Sequence, residues 1–162
     1  MESSMLNELN ELNEKIPLRL YQKKCIDEKK KKDLPECLIK MWCGTGKTLI
    51  FTASIIKFAF LLNVIVFPSL GLINQYNNDY VNNSKFEEFW SEYTILSFCS
   101  ATEPGKKTKS KKIKYTTSEQ TLKTFLKKKG KKLITVTYQS FQKFVEIIKK
   151  TQNRINYLIY DE

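Results

Sequence analysis

Met41-Trp42-Cys43-Gly44-Thr45-Gly46-Lys47-Thr48 ends in Gly-Lys-Thr and runs straight into apolar residues. A backbone that wraps a polyphosphate needs glycines where a side chain would collide with it. A lysine then reaches the β- and γ-phosphates, a threonine hydroxyl ligates Mg²⁺, and the helix that starts there adds its N-terminal dipole. The usual pattern, G-x-x-x-x-G-K-[ST], opens on glycine where Met41 stands. The residues nearest the phosphates are intact, so Gly44, Thr45, Gly46, Lys47 and Thr48 are candidate ATP-binding residues of a P-loop.

Context supports this over a chance Gly-Lys-Thr. Upstream, residues 36–41 (ECLIKM) read as a short strand; downstream, 49–62 is apolar with Thr52, Ser54 and Lys57 interspersed and reads as a helix. Strand, glycine loop and helix are the setting the motif requires. Further along, 64–67 (VIVF), 93–99 (YTILSFC), 133–137 (LITVT) and 157–160 (YLIY) read as strands. Between them 71–82, 86–90, 118–129 and 139–150 read as helical, and 18–32 as a helix ahead of the loop. Strands alternating with helices predict an α/β domain with a parallel sheet and helices on both faces. Ligands of such sheets bind beyond the carboxyl ends of the strands.

At 162 residues the chain is one domain, and its 41% hydrophobic content suits a globular fold. Residues 1–16 place Leu6, Leu9, Leu12 and Ile16 on one stripe of a helix that Pro17 stops, so the domain proper is read as 17–162. The net charge of +11 is local: residues 105–132 hold twelve lysines and one acid, and the remainder balances. This lysine-rich insertion, with Lys106, Lys107, Lys111 and Lys112 at its head, either attracts polyanions or is a solvated, flexible run. Lysines far outnumber the two arginines, Arg19 and Arg154, a bias that an AT-rich genome also produces.

The four cysteines form no C-x-x-C pair and there is no histidine, which argues against a zinc site and a histidine base. The polar, acidic N-terminus is unlike a secretory leader, so an intracellular protein with reduced thiols is expected, in cytoplasm, nucleus or a virus factory. Residues 49–67 imitate a membrane span, but Lys57 near the centre and Asn63 speak against one, and no membrane partner is expected.

The chain ends in Leu158-Ile159-Tyr160-Asp161-Glu162. An apolar strand finishing in two carboxylates suits a P-loop protein: the first, Asp161, can hold Mg²⁺ with Thr48, and the second, Glu162, can accept a proton from an attacking water. Two carboxylates alone would be an ordinary polar strand end.

Together these pieces resemble the superfamily 2 helicases (DEAD/DEAH-like), closest to the group holding helicase subunits of type I and type III restriction enzymes and many large-DNA-virus helicases. MWCGTGKT (41–48) is similar to that group's first motif, FPSLGLINQY (67–76) looks like motif Ia, TYQSF (137–141) resembles the motif before the acidic box, and YDE (160–162) opens that box. LRLYQ (18–22) lies where the family places its adenine-reading arginine and glutamine, which implies that role for Arg19 and Gln22; solvent-facing helix is the plain alternative.

The resemblance implies a RecA-like fold, ATP and Mg²⁺ as cofactors, and DNA or RNA as partner. Lys47 and Glu162 would be catalytic. Pro68, Ser69, Thr137, Gln139 and Ser140, at the ends of two strands, would hold nucleic-acid phosphates, with helix capping as the bland alternative for the hydroxyls.

The family's acidic box continues past the position of Glu162, and a second lobe carries arginine fingers. The expectation is therefore a first lobe, truncated at its C-terminus, that alone hydrolyses ATP slowly or not at all, with a second lobe possibly on another chain. The rival from another class is a non-catalytic nucleic-acid-binding module that keeps the fold. A kinase-type P-loop enzyme fits less well, because Asp-Glu on a strand suits water activation.

Overall fold

The computed structural model describes residues 17–32, 36–100 and 113–161, the side chains of 30–32 excepted. The expected helix over 1–16, the lysines 106, 107, 111 and 112, and Glu162 lie outside the described residues. The chain divides into two compact units that meet between Ala59 and Phe60, and each is taken by itself.

The first unit holds two helices. Helix α1 is Leu20–Lys32 and helix α2 is Lys47–Phe58. In the first, Gln22 and Ile26 are buried at four-residue spacing, which puts them on one face, and Leu18 just before the helix is buried too. An ion pair between Lys57 and Asp27 joins the helices, and the Lys29 ammonium lies over the Phe58 ring at 5.8 Å. Helix α2 stops earlier than its apolar run suggests. Ala59 takes the left-handed conformation (φ 50°) and returns its N–H to the Ile55 carbonyl. The expected strand at 36–41 is not formed. The segment carries no secondary structure, Leu38 and Ile39 are exposed, and it is absent from the sheet. Apolar character alone does not make a strand, because an extended backbone needs a partner to pair its N–H and C=O groups.

The second unit is built on a five-stranded parallel sheet of order β3-β2-β4-β1-β5. Its strands are β1 (Leu62–Phe67), β2 (Tyr93–Phe98), β3 (Ile113–Thr116), β4 (Lys131–Thr137) and β5 (Tyr157–Tyr160). Strand β1 is buried along all six residues, as a parallel strand covered on both faces must be. Leu62 and Asn63 belong to it and not to the preceding helix. Leu62 N–H donates to Asn156 Oδ1 at 3.0 Å, and Asn63 Nδ2 donates to the Phe60 and Lys132 carbonyls at 2.8 and 3.2 Å. Pairing with β4 and β5 overrides the local helical pattern.

One face of the sheet presents Leu62, Val64, Val66, Leu96, Phe98, Ile134 and Val136 to helices α5 (Glu119–Leu126) and α6 (Tyr138–Lys150). Each helix answers with an i, i+3, i+4 triplet: Leu122, Phe125, Leu126 and Phe144, Ile147, Ile148. Burying such a side chain contributes about 1.5–3 kcal/mol.

The other face is covered by helix α3 (Leu70–Tyr76), whose Tyr76 ring meets Phe67 at 5.3 Å, and by the short helix α4 (Glu87–Trp90) after a 3₁₀ turn at Ser84–Phe86. Helix α3 runs into a π-helical turn, Asn77–Val81, closed by Asn82 N–H on the Asn77 carbonyl at 2.8 Å. A π turn re-aims side chains. Here Asn77 points inward, with Nδ2 donating to Ser97 Oγ (3.0 Å) and Tyr115 Oη (2.8 Å). Ser97 Oγ in turn bonds Thr135 Oγ1 at 2.8 Å, so a polar seam crosses β3, β2 and β4.

From residue 113 onward the lysine-rich stretch is part of this unit. Strand β3, not legible among the lysines, is the sheet's edge beside β2, and β4 begins at Lys131. The stem of Lys132 is buried while its ammonium donates to the Gly130 carbonyl at 3.0 Å; Lys131 pairs with Glu92 at 2.7 Å. Amphipathic side chains of this kind bury their stems and keep their charge at the surface. Among the described residues no helix is long and apolar enough to cross a membrane.

Candidate nucleotide and nucleic-acid sites

In the first unit the glycine loop is held by its own backbone and by the start of α1 with Arg19 just before it. Gly44 (φ 78°) and Gly46 (φ 83°) are both left-handed, a conformation that costs other residues energy. Thr45 N–H and Oγ1 both donate to the Trp42 carbonyl, at 3.3 and 2.6 Å. The Thr45 carbonyl accepts from Tyr21 Oη at 2.7 Å and from Gln22 Nε2 at 3.2 Å. Arg19 completes this chain: Nη1 donates to Tyr21 Oη at 3.3 Å, and its backbone N–H donates to Gln22 Oε1 at 2.8 Å. LRLYQ and the loop thus form one hydrogen-bonded assembly. Gln22 is buried with both ends of its amide engaged, and Arg19 is exposed. Tyr21 went unnoticed in the sequence, since nothing local marks a tyrosine whose partner is a carbonyl 24 positions away.

Gly46 is the N-cap of α2 and supplies no side-chain acceptor, so the helix start presents backbone N–H groups at its positive end. A Cβ on Gly44 would meet nothing within 4 Å, which leaves room beside the loop. The Lys47 ammonium reaches back to the Met41 carbonyl at 3.2 Å, and Thr48 is partly exposed. Donors, a cation, a hydroxyl and open space together suit a polyphosphate with Mg²⁺.

In the second unit the strands are all parallel, so their carboxyl ends share one edge. Phe67 and Thr137 are register partners, which sets Pro68-Ser69 alongside Tyr138-Gln139. Pro68, Ser69 and Gln139 are exposed. The hydroxyls at this edge act as helix caps. Ser69 Oγ accepts from Leu72 N–H at 3.3 Å, Thr137 Oγ1 accepts from Ser140 N–H at 3.4 Å, and Thr137 Oγ1 donates to Ser140 Oγ at 3.1 Å. Ser118 caps α5 in the same way, and Lys143 on α6 donates to the Thr117 carbonyl at 2.8 Å, so these residues join the same edge.

Asp161 follows β5 there. Its N–H donates to the Val66 carbonyl at 3.0 Å, extending the ladder with β1, and its carbonyl accepts from Tyr138 Oη at 2.8 Å. Among the described residues no three acidic, cysteine or histidine side chains cluster as a protein-only metal site would.

Burial pushes the Cys99 thiol up to about 11. Burial also raises the Tyr115 phenol, partly offset by its hydrogen bond from Asn77.

A five-stranded parallel sheet covered on both faces, in a chain whose glycine loop opens a helix, defines a RecA-like α/β domain of the helicase type. A family model for the res subunit of type III restriction enzymes matches residues 15–162, and the chain belongs to that family. Its helicase-like domains are of the ATP-dependent, nucleic-acid-acting type. No curated protein and no solved structure matches the chain.

Proposed function

We propose that the chain is the N-terminal ATP-binding lobe of an ATP-dependent DNA or RNA helicase or translocase. The observation that carries this reading is the left-handed Gly44 and Gly46 loop, tied to Arg19, Tyr21 and Gln22 and opening α2 at Lys47. Lys47 is the cation for the β- and γ-phosphates, and it leaves the Met41 carbonyl to reach them. Thr48 and Asp161 are hard oxygen donors of the kind Mg²⁺ takes, and Mg²⁺ when bound neutralises charge on the transferring phosphoryl group. Glu162 orients or deprotonates the attacking water. Arg19 and Gln22 read adenine, with Arg19 exposed beside the loop and Gln22 buried beneath it.

The strand ends carrying the exposed Pro68, Ser69 and Gln139, with Thr137 and Ser140 beside them, would receive a nucleic-acid strand. The capping hydroxyls pre-order those helix starts and leave backbone N–H groups for phosphates. The lysines 106, 107, 111 and 112 add a sequence-indifferent attraction to the same polyanion.

Calorimetry of ATP·Mg²⁺ with wild type and Lys47→Ala tests the reading. A charged phosphate contact contributes roughly 1.5–3 kcal/mol, so affinity should fall at least about tenfold. Equal affinities would remove it.

A further inference from the structure

Helix α6 and the acidic strand end are joined by a contact that neither motif declares alone. Tyr138 is the first residue of α6, one position after its Thr137 cap. Its hydroxyl donates to the Asp161 carbonyl at 2.8 Å, and its ring meets that of Tyr160 edge-on at 6.5 Å. Phe141, one turn further along α6, also meets Tyr160, with the two rings edge-on at 5.4 Å. The peptide units around Asp161 are therefore held from two directions: N–H by Val66 of β1, carbonyl by Tyr138 of α6. A residue beyond the last paired position of an edge strand would otherwise fray. The same first turn of α6 carries Gln139 and Ser140, with Ser140 bonded to Thr137. The first turn of α6 and the backbone of Asp161 are thus joined through Tyr138.

We infer that Tyr138 is a positioning residue that holds Asp161 in its metal-binding orientation and links it to the nucleic-acid-facing first turn of α6. This rests on the reading of Asp161 as the carboxylate that holds Mg²⁺. Tyr138 acts through the backbone of Asp161, whose carbonyl takes its hydrogen bond. It is 43% exposed, so removing its hydroxyl leaves the packing of the ring and the core in place. Nucleic acid seated on the α6 turn fixes the clamp and tightens the hold of Asp161 on the metal.

The test measures the Mg²⁺ concentration that half-saturates binding of a fluorescent ATP analogue, in the full chain, with and without a single-stranded oligonucleotide. The variants are Tyr138→Phe, which keeps the ring and removes the donor, and Asp161→Asn. The clamp is one hydrogen bond, so Tyr138→Phe should raise the half-saturating Mg²⁺ about two- to tenfold. It should also abolish any oligonucleotide-induced decrease, and leave unchanged the affinity in excess chelator and the melting temperature. Asp161→Asn should raise the half-saturating Mg²⁺ at least as much. If Asp161→Asn raises it and Tyr138→Phe does not, the clamp is overturned and the reading of Asp161 stands. If Tyr138→Phe lowers only the melting temperature, Tyr138 is structural and the inference is again overturned. If neither variant changes the Mg²⁺ dependence, Asp161 does not hold the metal, and both fall together.

Discussion

Gly46→Ala separates two reasons for a glycine in the loop. Gly46 sits at φ 83°, and a Cβ there would lie 2.6 Å from Gln22 Nε2. Gly44 sits at φ 78°, and a Cβ there would meet nothing within 4 Å. Alanine at either position pays for a left-handed backbone, about 1–2 kcal/mol. At Gly46 the Gln22 amide must also move, and it is buried, bonded to the Thr45 carbonyl at one end and to Arg19 N–H at the other. Losing those two bonds adds about 0.5–1.5 kcal/mol each, for roughly 2–5 kcal/mol in all at Gly46. Amide hydrogen exchange over 20–26 and 47–58 reads the local opening free energy in the intact chain. In a Gln22→Ala background Gly46→Ala should cost little more than Gly44→Ala does. Equal losses for Gly44→Ala and Gly46→Ala in the parent chain, or strict additivity of Gly46→Ala with Gln22→Ala, would refute the reasoning.

Arg19 and Gln22 as base readers predict tighter binding of ATP than of GTP in parallel titrations; equal binding would leave both residues as structural supports of the loop. The lysine-rich stretch predicts sequence-indifferent binding of single strands that weakens steeply as salt rises, measured by fluorescence anisotropy; an affinity unchanged between low and physiological salt would sink it. At pH 8 a thiol reagent should label the exposed Cys37 and Cys43 quickly and the buried Cys99 only on unfolding. Because burial raises the Cys99 thiol from its ordinary 9.0 to about 11, its contribution to stability is fully present below pH 9 and is lost as pH rises through 11. Cys99→Ala should flatten that part of the denaturation profile, and an unchanged alkaline slope would count against it.

Periodicity and punctuation marked out much of this chain because each signal was local. Ile65 and Val66 read as a buried strand whatever they pair with, and Phe144, Ile147 and Ile148 lie on one face of any helix that contains them. The glycine loop was legible for the same reason, since left-handed backbone at Gly44 and Gly46 is demanded within a few residues. The misreadings occurred where distant pairing decides. Leu62 and Asn63 look like the end of a helix until β4 and Asn156 claim their polar groups. Residues 36–41 look like a strand, yet apolar content gives their backbone no partner. Ile113–Thr116 is hidden in a lysine run because its partner, β2, is supplied by the sheet.

At the candidate sites the division is similar. The sequence proposes Lys47, Thr48 and Asp161 as site residues by residue type and order. Tertiary structure decided that Gln22 is buried under the loop, that Thr137 and Ser69 spend their hydroxyls on caps, and that Tyr138 holds the carbonyl of Asp161. Hydrogen bonds between residues 23 or 24 positions apart have no period in the chain and appear only when folding brings their donors and acceptors together.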